Sequence, residues 1–244
     1  MTKYYYNKAR LSIWAGKFGA AGGYLYRALD IGLNSKDSSL IFSQYDHLGG
    51  YYDALGQRDS ALYYNAKAYN WATKFQNLGY PIYMANRHPE LADSARVIFD
   101  AALRNFKSKL TSELWVLSDL LQKEFDGYIN RDTAAVIDAI SAMIQQPQQA
   151  FGSNKFTLGK FMVLTGQYQE GMKYLLPVKS GEDATTNPIR YLRTTYYLGL
   201  AYEALGEADK AVAEYEEIMK YWGNADHELK DIADTRERLN RLRS

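Results

Sequence analysis

The chain has 244 residues, no cysteine, and 29 lysines and arginines against 28 aspartates and glutamates. The lack of cysteine excludes disulfides, thiolate metal sites and cysteine nucleophiles, and the formal net charge of +1 disfavours sequence-independent binding to nucleic acid. The N-terminal residues lack the apolar run of a secretory signal, and no stretch of about 18 apolar residues occurs. We therefore predict a cytoplasmic protein without a membrane contact.

The first predicted element is a helix pair over residues 4–33. Its small residues keep a regular spacing: Gly16, Gly19, Gly23, Ala28 and Gly32. Counted from Gly16, Gly23 lies seven positions later and Ala28 twelve. The same intervals recur in three later stretches, together with a leucine and a large residue that are missing here. We interpret residues 4–33 as a degenerate copy of the later repeats.

The complete pattern first occurs in a predicted repeat over residues 42–75. It consists of the pair Leu48 and Gly49, then Tyr52, Gly56 and Ala61. Helical spacing places the leucine, the first glycine and the tyrosine on one face of a first helix. Gly56 then ends that helix, and Ala61 lies inside a second, antiparallel helix where the two backbones approach closely.

Residues 89–146 are predicted to form further helix pairs in which the pattern is degenerate. Gly127 lies where the turn glycine belongs, but Leu120 replaces the first glycine seven positions earlier. We therefore expect these helices to cross at a wider separation than those of the complete repeats.

Two more copies of the pattern follow, in predicted repeats over residues 152–178 and 190–223. Their residues are Leu158, Gly159, Met162, Gly166 and Gly171, and then Leu198, Gly199, Tyr202, Gly206 and Ala211. Pro177 is expected to end its helix early, because proline lacks the N–H of a helical hydrogen bond. A charged helix over residues 227–243 is predicted to cap the series.

The spacing of these residues resembles the tetratricopeptide repeat (TPR), a helical hairpin of about 34 residues with aromatic, Leu-Gly, Tyr, Gly and Ala positions. The match is most complete at Leu198–Ala211, whereas Met162 and Gly171 depart from the consensus tyrosine and alanine. The resemblance implies one all-α domain over residues 1–244: a right-handed superhelical solenoid of about six antiparallel helix pairs and a terminal helix. The last repeats are also similar to those of multidomain bacterial signalling proteins, where they follow a kinase, cyclase or DNA-binding regulator domain.

In such a stack the first helices line the concave side, and one stripe of each faces a groove. We predict that twelve residues border this groove: Ser43, Asp46, Gly50, Asp53, Ser153, Phe156, Lys160, Val163, Arg193, Tyr196, Leu200 and Glu203. The alternative is that neighbouring helices bury several of them. Only Lys160 and Arg193 are basic, which argues against the carboxylate clamp of some TPR proteins.

These features predict a non-enzymatic module that binds a protein or peptide partner in its concave groove. No motif assembles a nucleophile, a base and an orienting group, and no residue is assigned to catalysis, a cofactor or a metal. The three histidines lie too far apart in sequence for a local metal site. A second hypothesis is a regulatory sensor whose groove takes a small ligand and controls an attached kinase or transcription-regulator domain. The oligomeric state is left open.

Overall fold

The computed structural model describes residues 1–72, 77–112, 115–146, 154–181 and 186–244, and within these ranges it contains helices and no strand. The thirteen α-helices of these ranges are α1 (Thr2–Trp14), α2 (Phe18–Ser35), α3 (Ser38–Ala54), α4 (Arg58–Tyr69), α5 (Gly79–Arg87), α6 (Ala92–Lys107), α7 (Trp115–Asn130), α8 (Thr133–Ile144), α9 (Asn154–Leu164), α10 (Tyr168–Ser180), α11 (Pro188–Ala204), α12 (Ala208–Trp222) and α13 (Lys230–Arg243). A 3₁₀ turn over Pro89–Leu91 precedes α6. The helices pack as consecutive neighbouring pairs and form a TPR-like all-α solenoid.

The turn glycines of the three complete repeats have the left-handed backbone that their position predicts. The φ angles are +70° at Gly56, +83° at Gly166 and +76° at Gly206. L-residues with a Cβ rarely adopt this conformation, so glycine ends each first helix without strain. The predicted positions of these turns are confirmed.

The first glycine of each complete repeat lies at a close helix crossing. A Cβ added at Gly49 would lie 2.5 Å from Asn65 Nδ2, and one at Gly159 would lie 2.7 Å from Leu175 Cγ. At Gly199 the added atom would overlap the ring of Tyr215. In all three repeats the facing residue comes sixteen positions after the glycine. The small residue therefore makes room for one particular side chain of the partner helix.

The register predicted for the first helix pair is wrong by seven residues. Gly16 has φ +68° and separates α1 from α2, so it is the turn glycine and not the first glycine of the repeat. Gly23 lies inside α2, where no atom would come within 4 Å of an added Cβ. In the correct register, Ala9 takes the place of the first glycine and Ala21 that of the buried alanine, and both are fully buried.

Two expectations for the later helices are also wrong. Gly127 lies inside α7, and the turn to α8 passes through Arg131, which has φ +57°. A Cβ at Gly127 would lie 2.6 Å from Val136 Cγ2, so α7 and α8 cross closely and not at a wider separation. Helix α10 continues through Pro177 to Ser180, because so near the end of a helix a proline removes only one backbone hydrogen bond.

The first and last helices of the described chain pack together. One hydrophobic core contains Ile13 and Phe18 as well as Ile218, Trp222 and Ile232. The Trp222 ring stacks on that of Trp14, with centroids 5.1 Å apart, and its Nε1 donates a hydrogen bond of 2.7 Å to the Ile13 carbonyl. The solenoid is therefore closed by contacts between its two ends.

Candidate functional site

A cavity of about 370 Å³ lies on the inner side of the solenoid. Most of its lining residues come from the first helices of five pairs, α1, α3, α5, α9 and α11. Because the first helices of stacked hairpins share one face of a solenoid, this cavity is the concave surface narrowed by the contact between the two ends. Its volume lies within the range of roughly 300–1,000 Å³ that is common for ligand sites.

Five of the twelve predicted groove residues line this cavity. They are Asp46, Gly50, Asp53, Phe156 and Arg193. They belong to three repeats that are far apart in sequence, and the shared geometry of the repeats brings them to one surface. Lys160, one helical turn after Phe156, is half-buried beside the same surface.

Four further residues of the predicted groove have other surroundings. Val163 and Leu200 pack in a hydrophobic cluster with Leu198, so neither is free for a polar partner. The Ser43 hydroxyl donates a hydrogen bond of 2.9 Å to the Ser39 carbonyl within α3. Ser153 lies outside the described residues.

The last two predicted groove residues contact the C-terminal helix. The Tyr196 hydroxyl donates to Asp234 Oδ2 at 2.6 Å. Glu203 accepts hydrogen bonds from Arg238 at 2.9 Å and from Arg241 at 2.6 Å. Helix α13 therefore covers the inner side of α11 at these positions.

A network of charges joins the helices around the cavity. Asp53 on α3 pairs with Arg87 on α5 at 3.1 Å and with Arg193 on α11 at 3.4 Å. Arg193 also pairs with Asp231 on α13 at 3.4 Å. These contacts connect the middle of the solenoid to both of its ends.

Lys160 experiences the cationic side of this network. Burial lowers the pKa of its ammonium group to about 8, and the nearby Arg87 and Arg193 lower it further, whereas Asp53 raises it. Like charges disfavour the protonated form of lysine, so the arginines outweigh the carboxylates at this point.

A stacked pair of rings forms another part of the wall. The rings of Tyr6 and His47 lie 3.9 Å apart, with 13° between their planes. Burial lowers the pKa of His47 to about 4, so the imidazole is neutral at pH 7. Asp46 reaches the cavity space although protein atoms surround it, and burial raises the pKa of its carboxyl.

Sequence reasoning missed Tyr6, Arg10 and Ile13, which line the cavity from α1. In the three complete repeats the groove residues lie six and three positions before the first glycine and one and four positions after it. With Ala9 in place of that glycine, the same offsets give Lys3 and these three residues. The wrong register of the first pair concealed them.

Two more arginines of the wall were not predicted. Arg190 lies three residues before Arg193 on α11, so it shares that side of the helix and the helical period could have indicated it. Arg87 ends α5, in a stretch where the repeat pattern is too degenerate to define groove positions.

In the parts of the chain that the structure describes, no group of three or more histidines, aspartates or glutamates could hold a metal ion. None of the described helices combines the length and apolarity that a bilayer crossing requires.

No protein-family model matches the chain. No curated protein matches it either. Among solved structures, it is similar to the TPR domain of P58(IPK), with a TM-score of 0.40 and 14% sequence identity. The match covers 99% of this chain and 65% of that chain. The description of this chain as TPR-like therefore rests on its own helix pairs, their turn glycines and their close crossings.

Proposed function

We propose that the chain is a non-enzymatic interaction module that binds a protein or peptide partner on its inner surface. The observation that supports this most directly is the convergence of Asp46, Asp53, Phe156 and Arg193 on one cavity from three repeats. Their mixture of acidic, aromatic and basic groups suits a partner segment with both apolar and charged side chains.

A peptide selection tests this proposal with a defined partner. Peptides selected from a displayed random library would be measured by calorimetry against the wild type, Phe156→Ala and Arg193→Gln. We expect each variant to weaken binding by about tenfold or more, as for central contacts of an interface. Arg104→Ala is the matched control, because Arg104 is an exposed arginine on α6 outside the cavity wall. Failure to enrich any peptide, or equal binding by all four proteins, would contradict the proposal.

The second candidate is a regulatory sensor that takes a small ligand and reports to an attached domain. The closed shape of the inner surface favours it, because contacts between the two ends reduce the groove to a cavity of about 370 Å³. A thermal-shift screen of metabolites would support this function if one compound raised the melting temperature of the wild type but not that of Phe156→Ala.

We also propose that the module works in the cytoplasm as part of a larger bacterial signalling protein. This rests on the resemblance of the repeats around Tyr197–Gly206 to those that follow kinase, cyclase or regulator domains. The sequence of the complete gene product tests it, and a product that contains helical repeats alone would contradict it.

A further inference from the structure

The cavity wall carries more positive than negative charge. Four arginines line it, Arg10, Arg87, Arg190 and Arg193, against two aspartates, Asp46 and Asp53. The excess of two positive charges is local, because the whole chain has a formal net charge of only +1. A dianion in the cavity would neutralise this excess.

The carboxylates do not cancel the arginines evenly. Asp53 pairs with both Arg87 and Arg193, so one carboxylate is shared between two guanidinium groups. Guanidinium groups with spare donors can bind a second anion through two parallel hydrogen bonds. Lys160 adds a further basic group beside the same two arginines.

The N-terminus of α11 also faces the cavity. Asn187, Pro188, Ile189 and Arg190, which begin this helix of 17 residues, all lie in the wall. The N-terminus is the positive end of a helix dipole, and anions bind there favourably. This contribution adds to that of the arginines and comes from the backbone.

The opposite part of the wall suits a flat, uncharged group. The stacked rings of Tyr6 and His47 present a planar surface, and Tyr83 and Phe156 supply two more aromatic rings. His47 Nδ1 is buried and has no hydrogen-bond partner among the described residues. A polar atom at the edge of a bound ring would satisfy it.

We propose that the cavity binds a small organic dianion with a planar ring. Its charged groups would lie against Arg87, Arg190, Arg193 and the start of α11, and its ring against Tyr6 and His47. This inference rests on the proposed binding role of the inner surface, and it specifies the chemistry of one occupant. A phosphate ester and an aromatic dicarboxylate share this chemistry, and the experiment distinguishes between them.

The test compares two dianions with their neutral analogues. Uridine 5′-monophosphate and phthalate would be titrated into the full chain at pH 7.5 by calorimetry, with uridine and phthalamide as controls. We expect at least one dianion to bind about tenfold or more tightly than its neutral analogue, and to bind more weakly as salt increases. Binding of the nucleotide alone would assign a phosphate ester, and binding of phthalate alone a dicarboxylate.

Three variants connect the binding to this site. Arg193→Gln leaves Asp53 paired with Arg87, so the fold should persist while affinity for the dianion falls about tenfold. Asp46→Asn removes a negative charge from the wall and should increase the affinity several-fold, which a merely structural effect would not do. Arg104→Ala, outside the wall, should not change it. Equal affinities for dianions and neutral analogues, or for wild type and Arg193→Gln, would overturn the proposal.

The two proposals fail independently. Selected peptides that bind through Phe156, in a protein that ignores both dianions, would leave the interaction module and remove this inference. Binding of a dianion that responds to Arg193 and Asp46, without any enriched peptide, would have the opposite result.

Discussion

The Asp226 carboxylate accepts a hydrogen bond of 2.7 Å from the backbone N–H of Phe18, which lies 208 positions earlier in the chain. Its other oxygen accepts from the N–H of Gly19 at 3.1 Å, and the Asp226 N–H donates to the Gly16 carbonyl at 2.9 Å. A residue after α12 thus caps the N-terminus of α2. The same turn packs closely, since a Cβ at Gly16 would lie 3.1 Å from the Ala225 Cα.

Removal of this long-range cap should loosen the contact between the ends. We expect Asp226→Ala to lower the free energy of unfolding by about 1–2 kcal/mol, the usual cost of losing an N-cap side chain. The distance between fluorophores on cysteines introduced at the exposed Lys3 and Asn224 should increase, and the chain has no native cysteine to interfere. Asp30→Ala, an exposed change on the same helix α2, is the control. An unchanged distance in Asp226→Ala would show that other contacts suffice to hold the ends together.

Two glycine substitutions should have opposite effects on stability. Gly199→Ala would drive a methyl group into the fully buried Tyr215 ring, so we expect a loss of about 1–3 kcal/mol. Gly23→Ala is the matched control, because Gly23 lies in a helix with open space around it, and alanine should stabilise that helix by about 0.5–1 kcal/mol. Urea unfolding measures both. Equal stabilities of the two variants would mean that the crossing at Gly199 has room to adjust.

Glu124 should make stability depend on pH. It is only 6% exposed on α7, and burial raises the pKa of its carboxyl to about 7, against a smaller lowering by its hydrogen bond with Tyr128. Because the folded state holds this proton more tightly than the unfolded state, the contribution is complete below pH 4.5 and is lost as pH rises through 7.

Glu124→Gln removes this dependence, since glutamine does not ionise. Relative to the wild type, the variant should gain up to about 3 kcal/mol in free energy of unfolding between pH 4.5 and pH 8. Urea unfolding at both pH values measures the difference, and Glu237→Gln, at an exposed position on α13, is the control. A pH-independent difference between Glu124→Gln and the wild type would contradict the assignment.

His47 should titrate far below an ordinary histidine. Burial lowers its pKa from 6.5 to about 4, so the unfolded state binds the proton more readily between these values. The stability that a neutral His47 contributes is therefore lost as pH falls from 6.5 to 4. Histidine ring signals in NMR, assigned by their loss in His47→Gln, should show a midpoint near 4. In Tyr6→Leu, which removes the stacked ring, the midpoint should move towards 6.5. A midpoint near 6.5 in the wild type would contradict the buried environment.

The sequence alone determined the repeat. Glycine is the residue that adopts a positive φ without strain, so Gly56, Gly166 and Gly206 indicated the ends of three first helices, and the structure confirms all three. The small residues at the crossings were equally legible, because two backbones can approach closely only where side chains are small. From these, helical spacing alone placed Asp46, Asp53, Phe156 and Arg193 on the inner surface.

Register in the degenerate pairs was not determined by sequence. Around Gly16 two registers seven residues apart both have small residues at suitable intervals, and only the backbone angle and the contact with Ala225 distinguish them. At Gly127 the sequence offered a turn glycine, whereas the packing of Val136 uses it as a crossing.

The tertiary structure alone decided what became of the concave surface. Contacts between residues about 200 positions apart, such as those of Asp226 with Phe18 and Trp222 with Ile13, close the solenoid and bring Arg10 to face α11. Helix α13 takes Tyr196 and Glu203 into its own contacts for the same reason. Local spacing specifies which face of a helix a residue occupies. The rotation accumulated over successive pairs specifies what that face meets, and no short stretch of sequence contains that information.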